Sequence, residues 1–134
     1  MPASGAGTLQ NPSVGLFTHD VERLVTFYKG LGFRETYRTP LEGSPTHVEV
    51  KLDGLTLALS SVDAAMSDHH LHPTLGGRPV YFFLWTDDTD AAYARMLSNG
   101  ASSVRPPQDF RSDLREAWVA DPDGNTIALV HRRP

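Results

Sequence analysis

Apolar and polar positions change period several times along the 134-residue chain, and each change marks a predicted element. Residues 13–18 are short and mostly apolar, which predicts a strand. Val21, Leu24, Val25, Tyr28 and Leu31 then recur at helical spacing. Asp20 stands where it can cap that helix, and Gly30 and Gly32 end it. Residues 33–39 read as a strand, broken by a loop between Pro40 and Pro45. In residues 47–52, Val48, Val50 and Leu52 alternate with His47, Glu49 and Lys51, the signature of a half-buried strand. Asp53-Gly54 is a hairpin signal, and residues 55–60 form the returning strand. The unit is βαβββ.

Residues 61–78 read as a polar linker rich in Gly, Pro and His, after which the pattern returns. Residues 80–85 predict a strand, Asp87-Asp88 begin a helix and Asn99-Gly100 stop it. Residues 101–105 predict a strand, followed by a loop carrying Pro106 and Pro107. The chain closes on a hairpin, residues 115–130, whose turn is Asp121-Pro122-Asp123-Gly124-Asn125. Asp20 and Gly32 recur as Asp88 and Gly100 at an offset of 68, and Asp53-Gly54 recurs as Asp123-Gly124 at an offset of 70. Two copies of one unit are therefore expected in a single domain over residues 13–134. Module 1 covers about 13–60 and module 2 about 79–131. Neither small sheet can cover both its faces alone, so the copies should pack or pair.

Composition narrows the function. The chain contains no cysteine, which removes disulfides, thiolate metal sites and thiol nucleophiles and fits a reducing cytoplasm, the expected location. Net charge is −4, and the only basic pair, Arg132-Arg133, is too small a footprint for nucleic acid. No apolar run reaches membrane-span length. Residues 1–12 are rich in Gly, Ala and Ser, lack a signal-peptide core and predict a disordered arm.

Val14-Gly15-Leu16, Asp20, Phe27-Tyr28 and Leu31-Gly32-Phe33 in the first copy carry a resemblance. So do Thr86 through Tyr93, Asn99-Gly100-Ala101 and Arg115 through Asn125 in the second. In order and spacing the chain resembles the vicinal oxygen chelate superfamily, which includes glyoxalase I, bleomycin-resistance proteins and extradiol dioxygenases. The resemblance implies an α+β fold of two βαβββ modules whose mixed sheets curl into a cup, and commonly a homodimer. Enzymes of that superfamily hold a divalent metal at the start of the first strand and in the last strand of each copy. The matching positions here are Ser13, Ala58, Tyr81 and Ala128, none of which is an ordinary ligand for a catalytic divalent ion. No metal and no other cofactor is expected, and no catalytic residue is assigned.

The branch most similar to this pattern is the metal-free bleomycin-resistance type, implying antibiotic resistance by sequestering a small molecule that is planar or cationic. Two alternatives stand beside it: an enzyme of the same superfamily, of lyase, isomerase or dioxygenase kind, or a non-catalytic domain with a filled cup. Tyr81, Phe83 and Trp85 share one strand face, and Ser13, Gly15 and Phe17 share the matching one. Phe17, Tyr81, Phe83 and Trp85 thus offer flat surfaces for a ligand, while Ser13, Gly15, Ala58 and Ala128 leave room. Arg115 and Trp118 are three apart and face opposite sides of their strand. Arg115 is a candidate for a ligand carboxylate or carbonyl, or for a surface ion pair. Trp118 is a candidate cavity wall, and Phe110, in a loop over residues 108–113, a candidate lid. His47 and Glu49 share a face and form a candidate acid/base pair, which makes His47 a further candidate contact. His69 and His72 fall in the linker, where a solvated role is expected.

Overall fold

The computed structural model describes residues 7, 8, 10–77 and 80–134. Most of the expected N-terminal arm, residues 1–6 and 9, lies outside them. The first module comprises β1 (Val14–Thr18), α1 (Val21–Gly30), β2 (Arg34–Thr39), β3 (His47–Leu52) and β4 (Leu55–Ser61). After α2 (Val62–His69), the second module comprises β5 (Tyr81–Trp85), α3 (Thr89–Ser98), β6 (Ser102–Phe110), β7 (Leu114–Ala120) and β8 (Thr126–Arg132).

Each module folds into its own four-stranded mixed sheet with the same strand order, β1-β4-β3-β2 and β5-β8-β7-β6. The first strand of each runs parallel to the last, and the other pairs are antiparallel. The duplication holds at the level of single residues. Val14 pairs with Leu57, and their counterparts Phe82 and Ile127, 68 and 70 positions on, pair in the same register. The fold is thus α+β, built from two βαβββ modules.

Both module helices begin as their sequences require. The Asp20 carboxylate accepts the Arg23 amide at 3.0 Å, and Asp88 accepts that of Ala91 at 3.1 Å. α1 covers one face of the first sheet through Leu24, Val25 and Tyr28, which bury against Val48, Val50, Leu57 and Leu59. α3 covers the same face of the second sheet, bringing Met96 against Val119, Ile127 and Leu129. All these apolar residues join one core that spans both modules. Burying each of its leucines contributes roughly 1.5–3 kcal/mol.

Polar contacts register one module on the other. The Tyr28 hydroxyl donates to Asp121 at 2.6 Å, Arg23 pairs with Asp123 at 2.8 Å, and the Asn99 side-chain amide donates to the Phe27 carbonyl at 2.9 Å. The turn after β7 is itself tied by backbone bonds between Asp121 and Asn125 and between Gly124 and Asp121, both 2.9 Å. Gly124 adopts φ +88°, a left-handed conformation, and a Cβ there would meet the Gly76 Cα at 3.2 Å.

Three expectations need correction. The linker contains a helix: Ser61 caps α2 by accepting the Ala64 amide at 3.2 Å, while Val62 and Ala65, one turn apart, bury. Pro106 and Pro107 do not form a loop but lie inside β6, at the sheet's edge, where register shifts against β7 absorb the missing donors. Phe110 is accordingly the last residue of β6, opposite Leu114, so the connection is shorter than residues 108–113.

Candidate functional site

Each sheet has a second face, away from α1 and α3, and the two second faces differ sharply. On the second sheet β5 presents Tyr81, Phe83 and Trp85, which retain 54%, 53% and 60% exposure. Trp118 from β7 joins them, half-buried, its ring 5.3 Å from that of Tyr81; Tyr81 and Phe83 are 5.5 Å apart, and both contacts are edge-on. Tyr81, Phe83 and Trp85 keep more than half of their surface open to solvent, area on which a planar group can stack. Behind them Ala128, in register with Phe83 and Trp118, is fully buried, so nothing bulky stands between the aromatics. The Trp85 ring already carries a cation, the Arg132 guanidinium 5.6 Å from its centroid.

On the first sheet the open face is polar. Phe17, Ser60, His47 and Thr39 stand in one row across β1, β4, β3 and β2. Gly15, Ala58, Glu49 and Tyr37 form the next row. His47 Nε2 lies 2.9 Å from Glu49 Oε2 and Nδ1 lies 3.1 Å from Ser60 Oγ, while the Tyr37 ring approaches edge-on at 5.9 Å. α2 walls one side, leaving a cavity of about 430 Å³ bounded by Phe17, His47, Ser60, Ala64 and Asp68 among others. Val48 and Val50, as the alternation predicts, point to the core.

The structure therefore gathers Tyr81, Phe83, Trp85 and Trp118 on one face, and Phe17 and His47 on another. The cavity holding Phe17 and His47 contains none of the four second-sheet aromatics. Phe110, 42% exposed, lies at the far end of β6, its ring 5.3 Å beneath the Arg111 guanidinium. Arg115 is not brought to the aromatic face. It lies on the helix side, held by both oxygens of Asp90 at 2.6 and 2.8 Å and by Asp109 at 3.0 Å, which uses its fork for an ion pair. Ser60 escaped the sequence reading, yet a signal exists. Counting back from the Leu52–Leu55 pair beside Asp53-Gly54 sets Ser60 opposite His47.

Ser13, Ala58, Tyr81 and Ala128 occupy the positions at which enzymes of this fold would hold a metal. Ala58 and Ala128 are buried methyl groups and Tyr81 lies among aromatics, so the set offers no imidazole or carboxylate. The residues there do not fit a divalent ion. Among the described residues no group of three or more His, Cys, Asp or Glu side chains is arranged to hold one. Among them, too, no helix is long and apolar enough to cross a membrane.

The Arg115 pair has a consequence in acid. Its hydrogen bonds, chiefly, and its charge hold the Asp90 carboxyl below the usual aspartate range. A carboxylate depressed in the folded state stabilises it above the unfolded pKa, and that contribution disappears as pH falls through the lower folded value. Below about pH 4 the urea midpoint of the wild type is expected to fall more steeply than that of Asp90→Asn. Superimposable slopes would show that the pair contributes nothing.

A family model for the Glyoxalase/Bleomycin resistance protein/Dioxygenase superfamily matches residues 11–129. No curated protein sequence matches the chain. Among solved structures, a hypothetical protein from S. aureus is similar with a TM-score of 0.78 at 19% identity, covering 92% of this chain and 94% of that one. TioX from Micromonospora sp. ML1 gives 0.71 at 24% identity, with 92% and 99% covered. A glyoxalase/bleomycin resistance protein/dioxygenase superfamily member from Sphaerobacter thermophilus gives 0.64 at 26% identity, with 90% and 97% covered. Sequence match, strand order and residue-level duplication agree, and the chain belongs to the glyoxalase/bleomycin resistance protein/dioxygenase superfamily.

Proposed function

We propose that the protein is a metal-independent, cytoplasmic binding protein of the bleomycin-resistance type, which sequesters a planar, antibiotic-like small molecule. The observation that carries this reading is the open aromatic face: three large rings more than half exposed, with Trp118 beside them. A monomer seldom leaves so contiguous an apolar surface to water without a use for it. The Arg132–Trp85 contact adds that these rings tolerate a positive charge, which suits a cationic ligand as well. In this reading a homodimer closes the site. The aromatic face of one copy covers the polar face of its partner, and a ligand is held between stacking surfaces and hydrogen-bonding groups.

The test is a fluorescence titration of the full chain with bleomycin and a panel of planar antibiotics, run with and without EDTA. At least one compound is expected to quench tryptophan emission saturably, equally in both conditions. Trp85→Ala should weaken that ligand about tenfold, the loss of one well-stacked, desolvated ring. Sedimentation should find a dimer. Binding abolished by EDTA and restored by zinc would overturn metal independence, and a panel without saturable quenching would remove the binding reading.

A further inference from the structure

The polar face of the first sheet contains a hydrogen-bonded chain whose reactivity the binding reading does not call on. His47 and Ser60 are cross-strand partners, and Glu49 lies two residues along β3, so all three side chains share one face. A carboxylate can only accept, so the proton between Glu49 and His47 sits on Nε2. In that tautomer Nδ1 is an acceptor within reach of the Ser60 hydroxyl, 3.1 Å away. Hydroxyl, imidazole and carboxylate are thereby linked in the order that activates a serine. Tyr37 holds the ring edge-on from β2. His47 and Glu49 side chains remain 32% and 36% exposed, so the chain opens to a ligand instead of being sealed in the core.

We infer that Ser60 is a nucleophile toward carboxylic esters, with His47 as its general base and Glu49 as the residue that positions and supports the base. The substrate class follows from the cavity. Phe17, Ala64 and Leu71 give it apolar walls, and about 430 Å³ suits a small molecule. Asp68 on its wall disfavours anions, which points to a neutral ester over a phosphate or carboxylate. Ser60 Oγ bonds to the acyl carbon while its proton passes to His47 Nδ1. The ester C–O bond breaks, and the departing alcohol oxygen takes that proton. Water then adds to the acyl-serine, giving a proton to Nδ1. The Ser60–acyl bond breaks, the acid leaves and Oγ recovers the proton. Ser61, on the same cavity wall, has an Oγ that accepts the Ala64 amide at 3.2 Å and keeps its own O–H as a further donor.

The experiment uses the full chain and p-nitrophenyl acetate. A burst of about one nitrophenolate per chain is expected, with an acetyl group recovered on Ser60 by tandem mass spectrometry after acid quench. Ser60→Ala should lose both burst and label. His47→Gln should slow acylation about a hundredfold or more, and Glu49→Gln should lower kcat about tenfold with KM unchanged. The circular dichroism spectrum of the Ser60→Ala variant serves as the control for folding. The burst and the acetyl label report on Ser60 alone, whereas tryptophan quenching reports on the aromatic face, so failure of this proposal is distinguishable from failure of the binding reading. Acetylation elsewhere than Ser60, or a Ser60→Ala rate equal to wild type, overturns the assignment.

Discussion

Asp121→Ala is expected to destabilise the protein by about 3–5 kcal/mol, because it strands a set of buried donors together. The carboxylate is 2% exposed. One of its oxygens accepts the amides of Asp123 and Asn125, both at 2.9 Å, and the other accepts the Tyr28 hydroxyl at 2.6 Å and the Asn125 side-chain amide at 2.8 Å. Three of these bonds shape the turn, and the fourth crosses to α1, so local geometry and module docking share one group. Burial, above all, and the neighbouring Asp121 push the Tyr28 phenol well above its ordinary pKa, so it remains a donor throughout the working range. Tyr28→Phe removes only the cross-module bond and should cost about 1–2 kcal/mol. Urea unfolding of both variants and of the double variant checks this. The double should lose clearly less than the sum, since the two changes remove one shared bond.

Gly30→Ala should cost about 1–2 kcal/mol, against the usual effect of replacing a helical glycine. In an open helix end, added side chain restricts the unfolded chain and gains up to about 1 kcal/mol. Here a Cβ on Gly30 would run into the Asn99 side-chain amide, which occupies that space to reach the Phe27 carbonyl. Expelling Asn99 forfeits a half-buried hydrogen bond to the Phe27 carbonyl. Overpacking outweighs entropy. In an Asn99→Ala background the clash is largely removed, and Gly30→Ala should become neutral or stabilising. A denaturant midpoint that rises for Gly30→Ala in the wild-type background would refute this account of the contact.

Much of the fold is legible because the repeat is written in turn residues. Asp53-Gly54 and Asp123-Gly124 fix the hairpins, and the offsets of 68 and 70 reappear as identical registers across the parallel pairs. The aromatic face follows from alternation alone, since Tyr81, Phe83 and Trp85 are two apart. What sequence reasoning missed depended on partners far along the chain. α2 rests on one serine cap and two buried positions in an otherwise polar stretch, too little periodicity to separate from a linker. The role of Arg115 was open because its direction depends on where α3 puts Asp90. Ser60 carries no local signal of its own. It becomes significant only when hairpin register sets it opposite His47.

The two prolines of β6 bear on how the molecule behaves in a crowded solution. β6 is an outer strand, and Pro106 and Pro107 have no N–H to offer a strand arriving from another molecule. The corresponding outer strand of the other sheet, β2, is irregular, its pairing shifting between Glu35 and Tyr37. Both outer margins are thus poor templates for strand-by-strand polymerisation. Growth of a fibril by added strands is channelled to the opposite margins, β1 and β5, the outer members of the parallel pairs.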